Sequence, residues 1–191
     1  MRDTFRTVLR RATHDDHERV DHMLSQLDIT DHGGFGQFLG IHSTCFQAMR
    51  DATPEPSIAH AALSDMLLRI GQDLEKLSES AIVGEVPTLA PVDPLALDYV
   101  LEGSRLGTRV LKTQWMETAD ARVTQADRYF SMVTDAGRWR EVCETLSAID
   151  PQSPRANAIT ADTRALFEMF HTVSKARIRP ADACPRRAPD A

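Results

Sequence analysis

Near the start of the chain, His14-Asp15-Asp16-His17-Glu18 crowds two imidazoles and three carboxylates into little more than one helical turn. At about 100° per residue, Thr13, Val20, Asp21 and Leu24 fall within about 60° of His17, as does Arg10 two turns upstream. His14 sits at the edge of that sector and His22 about 140° away. Two chemistries fit this pattern. His17 is either a half-buried histidine packed on Val20 and Leu24 and bonded to Thr13 or Asp21, or a neutral imidazole that ligates a metal such as haem iron. In the second case Arg10 stands on the same face to meet an anionic group. Asp15, Asp16 and Glu18 read as a solvated face. A carboxylate-bridged di-iron centre needs two Glu-x-x-His pairs on different helices, and only Glu168-Met-Phe-His171 has the spacing.

A second unusual stretch is Tyr99-Val-Leu-Glu-Gly103-Ser104-Arg-Leu-Gly107-Thr108. An interior helical glycine costs about 1 kcal/mol relative to alanine, so two of them four apart call for a reason. One is a close helix–helix seam. The other is a flat ligand lying against the backbone where Cβ is missing. Spacing alone does not separate the two.

The elements that position these residues are helical. Apolar residues recur every three or four positions over about 3–26, a stretch that ends before the turn-rich Asp28 to Gly34. A second helix begins near Phe35 and stops at Thr53-Pro54. Ser57 is a suitable N-cap for a third, through Leu77. Ser78 to Asp93 reads as a loop, and Asp93-Pro94 starts a long helix to about Glu117. Shorter helices are expected near Asp127–Val133 and Gly137–Ile149, and a last one over about 155–176. No strand pattern of useful length and no internal repeat appear. The sequence predicts an all-α, single-domain bundle over residues 1–176, followed by a proline- and arginine-containing tail, 177–191, that reads as disordered.

Composition limits the function. The 191 residues are 42% hydrophobic and 26% charged, with a net charge of −6, which offers no general basic field for nucleic acid. No segment approaches the roughly 20 apolar residues of a membrane helix, and the charged N-terminus lacks the apolar core of a signal peptide. Cys45, Cys143 and Cys184 are too few for a disulfide framework or a thiolate metal site. A cytoplasmic protein without nucleic-acid or membrane partners is the expectation.

The motifs, taken in order, resemble the haem oxygenases, most closely the bacterial members found beside bacteriophytochromes. Thr13-x-x-x-His17-x-x-x-Asp21 resembles the proximal helix, and Phe38-Leu39-x-x-His42 and Asp73-Leu74-x-x-Leu77 follow in the expected order. Tyr99-Val-Leu-Glu-Gly103-Ser104-x-Leu-Gly107 resembles the distal helix. Trp139-Arg140-x-x-x-x-x-Leu146 and Leu166-Phe167-x-x-Phe170 resemble the two late helices. Together they span about residues 5 to 175. Thr108 departs from the family, which often has glycine there. Ser104 stands where the animal enzymes have an aspartate; many bacterial relatives also have serine there.

The resemblance implies the haem-oxygenase fold, with haem held between the first helix and a kinked distal helix. It implies O₂- and electron-dependent cleavage of haem, which is both substrate and cofactor, to biliverdin, CO and iron. His17 would be the axial iron ligand, and Gly103, Ser104 and Gly107 would cover the distal face. Thr13, Arg10, Tyr99 and Arg140 would contact the haem, with Arg138 in reserve near the propionates, while His42 and His60 have packing roles. The implied partners are an external electron donor, such as a ferredoxin or a reductase, and a bacteriophytochrome that accepts biliverdin. Two alternatives differ in class: a haem carrier or sensor without turnover, and a helical adaptor that binds no haem.

Overall fold

The protein is described by a computed structural model, covering residues 3–55, 57–79, 85–132 and 136–178. Among the described residues it has eight α-helices and no strand: α1 Phe5–Ala12, α2 His14–Leu24, α3 His32–Asp51, α4 Ile58–Leu77, α5 Pro94–Trp115, α6 Ala121–Gln125, α7 Ala136–Ser147 and α8 Pro154–Arg177. This is the expected all-α architecture. No helix of the described residues is long and apolar enough to cross a membrane.

Several boundaries follow local chemistry. The Ser57 hydroxyl accepts from the His60 amide to open α4, and the Asp93 carboxylate accepts from Leu95 ahead of Pro94 to open α5. The Ser153 hydroxyl, accepting from Ala156, does the same for α8. The segment before α5 is tied to α8, because the Asp93 amide donates to Asp162 (2.7 Å) and the Asp93 carboxylate pairs with Arg155. Almost all of the sequence-predicted tail, from residue 179 on, lies outside the described residues. Arg177 does not belong to it: the residue ends α8 and donates to the Gly40 carbonyl on α3.

Three boundaries differ from the expectation. The first helix is two helices, broken at Thr13 (φ −111°, ψ 7°), with the Ala12 carbonyl taken by Arg164 of α8. The helix α3 begins at His32 instead of Phe35, because the Asp31 carboxylate caps the amides of Gly33 and Gly34. Glycine is required at position 34, where a Cβ would stand 2.1 Å from the Asp28 carbonyl oxygen. The helix expected at Asp127–Val133 is instead a turn within its described part, and α6 precedes it. There the buried Asp73 carboxylate accepts from both the Arg128 and Tyr129 amides (2.9 and 2.7 Å). Tyr129 and Phe130 are both buried in the aromatic cluster beside it.

Two packed clusters hold the bundle together. The larger is aromatic, built on Phe35, Phe38, Phe46, Trp115, Tyr129, Phe130 and Phe170. The smaller joins α1, α7 and the starts of α5 and α8 through Phe5, Leu9, Leu95, Val142, Leu146 and Ile159. Tyr99 packs against both clusters. His42 lies inside the aromatic cluster, ringed by Phe38, Phe46, Tyr129 and Phe170, with Nδ1 2.9 Å from the Phe38 carbonyl. That carbonyl can only accept, so Nδ1 carries a proton.

Burial holds the His42 pKa at about 4, so the unfolded chain, with an ordinary imidazole near 6.5, binds this proton at higher pH than the native state does. The histidine therefore makes stability fall as pH drops from about 6.5 towards 4. Between pH 7 and 5 the loss from this group is about 2 kcal/mol. Urea midpoints of the wild type and of His42→Leu measure it: the wild type should lose stability over that interval, and the variant should show a visibly smaller slope.

Candidate functional site

Both α2 and α5 pack on α8, and the residues picked out on each of them meet at one end. The Tyr99 hydroxyl interacts with the Thr13 side chain at the α1–α2 break, within electrostatic reach of Arg10 and Arg6. Partial burial raises the Tyr99 pKa, while Thr13 and the two guanidinium groups oppose the rise. Thr13 is itself buried, its hydroxyl donating to the Leu9 carbonyl at 2.9 Å. From this contact each helix carries its next candidate one turn on, His17 along α2 and Gly103 then Gly107 along α5. Trp139 of α7 stacks near Tyr99 (ring centroids 5.7 Å apart) and walls Gly103.

The glycine face of α5 is uncovered. A Cβ at Gly107 would meet no described atom within 4 Å, and one at Gly103 would meet only the Trp139 ring at 3.9 Å, an ordinary contact. No described helix packs on Gly107, so a helix–helix seam does not account for that glycine, whereas Gly103 borders α7 through Trp139. Val110, one turn beyond on the same side, is 75% exposed. The opposite side of α5 is occupied. Thr108 is buried there, its hydroxyl donating to the Ser104 carbonyl and lying against Tyr129, and so stays out of the glycine face. Ser104 is half-buried and donates its own proton to the Leu101 carbonyl at 2.8 Å. Its hydroxyl can accept a further hydrogen bond without giving up that proton.

His17 is more than half exposed at its side chain. Its Nδ1 lies 3.1 Å from an Asp21 carboxylate oxygen, and the ring stands edge-on to Phe167 of α8, 5.4 Å between centroids at 86°. The carboxylate favours the proton on Nδ1, which leaves the lone pair on Nε2 for a ligand. The break at Thr13 places Arg10 on a different helix from His17, so their common face is not that of one straight helix. Arg10 is nevertheless close to the site, through Tyr99.

Arg6 and Arg10 bring positive charge near Tyr99. Arg6, Arg10 and Arg140 are exposed and form no ion pair among the described residues, whereas Arg11 is paired with Asp3. Arg138, the reserve expected for the same role, is committed elsewhere: it donates to Asp98 at 2.6 Å and to Glu141. Arg6 was not singled out by sequence, although it precedes Arg10 by four residues on one face of α1.

Asp16 departs from the expected solvated face. It is largely buried at its side chain and shared between Arg19 (2.7 Å) and Arg164 (3.4 Å). Glu168, half of the single Glu-x-x-His pair, reaches Arg19 as well as His171. Among the described residues no three His, Cys, Asp or Glu side chains converge to hold a metal ion, so the di-iron reading has no support. A cavity of about 200 Å³, bounded in part by Ile58, Val92, Leu97, Asp98 and Arg138, is lined by none of His17, Gly103 and Gly107, and its Asp98 carboxylate is paired with Arg138. Set against known protein families and curated proteins, the chain matches no family model and no curated protein.

Proposed function

We propose that the protein is a haem oxygenase and that haem binds between α2 and the glycine face of α5. The observation that carries this reading is the uncovered backbone at Gly107, with Gly103 one turn earlier bordered by the Trp139 ring, on the helix whose Tyr99 meets the α1–α2 break one turn before His17. A Cβ at either glycine would occupy the space needed for close approach of a flat ring. The donor set suits haem: an imidazole whose Nε2 has no partner among the described residues, and near Tyr99 the guanidinium groups of Arg6 and Arg10, without an ion pair among the described residues, for carboxylate side arms.

Haem, once bound, supplies the iron that takes up O₂ and is also the ring that is opened, giving biliverdin, CO and iron with electrons from an external donor. The chain contributes position and polarity. The Asp21 carboxylate would accept from Nδ1–H of His17 and orient Nε2 towards the iron. The guanidinium groups of Arg10 and Arg140, joined by Arg6, would meet the propionates, with Tyr99 and Thr13 between them and His17. On the other face, glycine backbone and the Ser104 hydroxyl offer no strong acid, a setting suited to holding O₂ without forcing its cleavage. A ferredoxin or reductase as donor, and a bacteriophytochrome as acceptor of biliverdin, belong to the same proposal.

Titration of the apoprotein with haem, followed in the Soret band, tests binding; addition of a reductant in air to the complex then tests turnover. The expected outcome is a histidine-ligated spectrum that bleaches as biliverdin absorption grows. A stable complex that does not bleach would make the protein a carrier or sensor, and no Soret change would make it a helical adaptor.

A further inference from the structure

We infer that Arg164 is a positioning residue that fixes the break between α1 and α2, and thereby the placement of His17 relative to the Arg10–Tyr99 end of the site. Its functional consequence rests on the haem reading above. The break separates the two halves of the site: Arg6 and Arg10 ride on α1, His17 on α2. Across it, the amides of Thr13 and His17 still bond to the carbonyls of Leu9 and Thr13, so the interruption is short. The Ala12 carbonyl left at the end of α1 accepts Nε and Nη2 of Arg164 at 3.2 and 2.7 Å. The same Nε lies 3.4 Å from the carboxylate of Asp16, the residue before His17.

The contact is reinforced along α8. Arg164, Phe167 and Glu168 share one face of that helix. Phe167 carries the His17 ring, and Glu168 holds Arg19, which in turn holds Asp16. The guanidinium stands where the C-terminal dipole of α1 is negative, and Asp15 and Asp16 stand in the first turn of α2, where it is positive. Each helix end is therefore charge-matched at the break. The Thr13 hydroxyl, which donates to the Leu9 carbonyl, does not cap α2. Without Arg164 the cheapest partner for the Ala12 carbonyl is the Asp16 amide, which would run α1 and α2 together as one helix. That closure would turn His17 away from Phe167 and from the Tyr99 contact at Thr13.

Arg164 is more than half exposed, so Arg164→Ala is expected to fold. Hydrogen exchange of the apoprotein variant should show the Asp16 amide gaining protection. Haem affinity should fall about 10-fold, the scale of one lost hydrogen bond to a charged group, with an altered histidine-ligated spectrum. Arg164→Lys, which can reach the carbonyl with one donor, should recover most of both. Unchanged exchange at residues 14–16 together with wild-type haem affinity would overturn the inference, as would a lower melting temperature with both of those unchanged. If the wild type binds no haem, the functional reading fails. The exchange experiment on the apoprotein still decides whether Arg164 holds the break.

Discussion

Haem added to His17→Ala should give no histidine-ligated spectrum and no biliverdin, whereas His14→Ala and His22→Ala should behave as wild type. The effect is large because the imidazole is the proposed ligand of the iron. Loss of the ligand is expected to weaken binding by at least about 100-fold, or roughly 2.7 kcal/mol. Added imidazole should restore part of the spectrum, since removing the ring leaves a space of its own size. Apoprotein stability should change little, because the side chain is 56% exposed and its contacts are one carboxylate and one ring edge. Asp21→Ala supplies an intermediate case. It leaves Nε2 in place but frees the Nδ1 proton, and outer-shell losses of this kind typically cost about 10- to 100-fold in metal affinity. If His14→Ala abolishes the spectrum while His17→Ala keeps it, the ligand assignment is wrong.

How much of this could be read from sequence depended on distance along the chain. Helices with local start signals were legible, since Ser57 and the Asp93-Pro94 pair act within three residues of themselves. The break at Thr13 was not, because the guanidinium that takes the Ala12 carbonyl lies 152 residues away. The turn after α6 was hidden for the same reason: its amides are held by Asp73, more than 50 residues earlier. Asp16 looked like one charge in a solvated run, and only the arrival of α8 makes it an anchor. In the candidate site, spacing brought Thr13 and His17 to one face and marked Gly103 and Gly107 as costly. It could not say what lies opposite those glycines, because packing partners leave no trace in the helix that faces them. Arg140 and Arg138 show the limit most simply. They are two residues apart with identical chemistry, yet Asp98 and Glu141 commit Arg138, while Arg140 forms no ion pair among the described residues.

Gly107 separates a site glycine from a structural one by the sign of two effects. A Cβ at this position meets no described atom within 4 Å, so Gly107→Ala introduces no clash in the apoprotein. It also removes the helix penalty of glycine, about 1 kcal/mol. The apoprotein variant should therefore melt about 2–4 °C higher than wild type. If haem lies on this face, the same methyl group intrudes on the ring or on the O₂ beside it, and the longer Gly107→Leu side chain fills the space outright. Overpacking of this kind costs about 1–3 kcal/mol, or roughly 5- to 150-fold if it falls entirely on haem binding. Gly107→Leu should then bind haem weakly or not at all. Gly107→Ala should bind with a lower biliverdin yield per haem, despite its more stable fold. Gain of stability with loss of function is the pattern expected where a protein keeps a costly residue for its site. Melting curves of the apoproteins and single-turnover spectra on the same preparations measure both effects. A Gly107→Leu protein with wild-type haem affinity and biliverdin yield would remove the glycine face from the site and leave the open side of α5 without a bound ring.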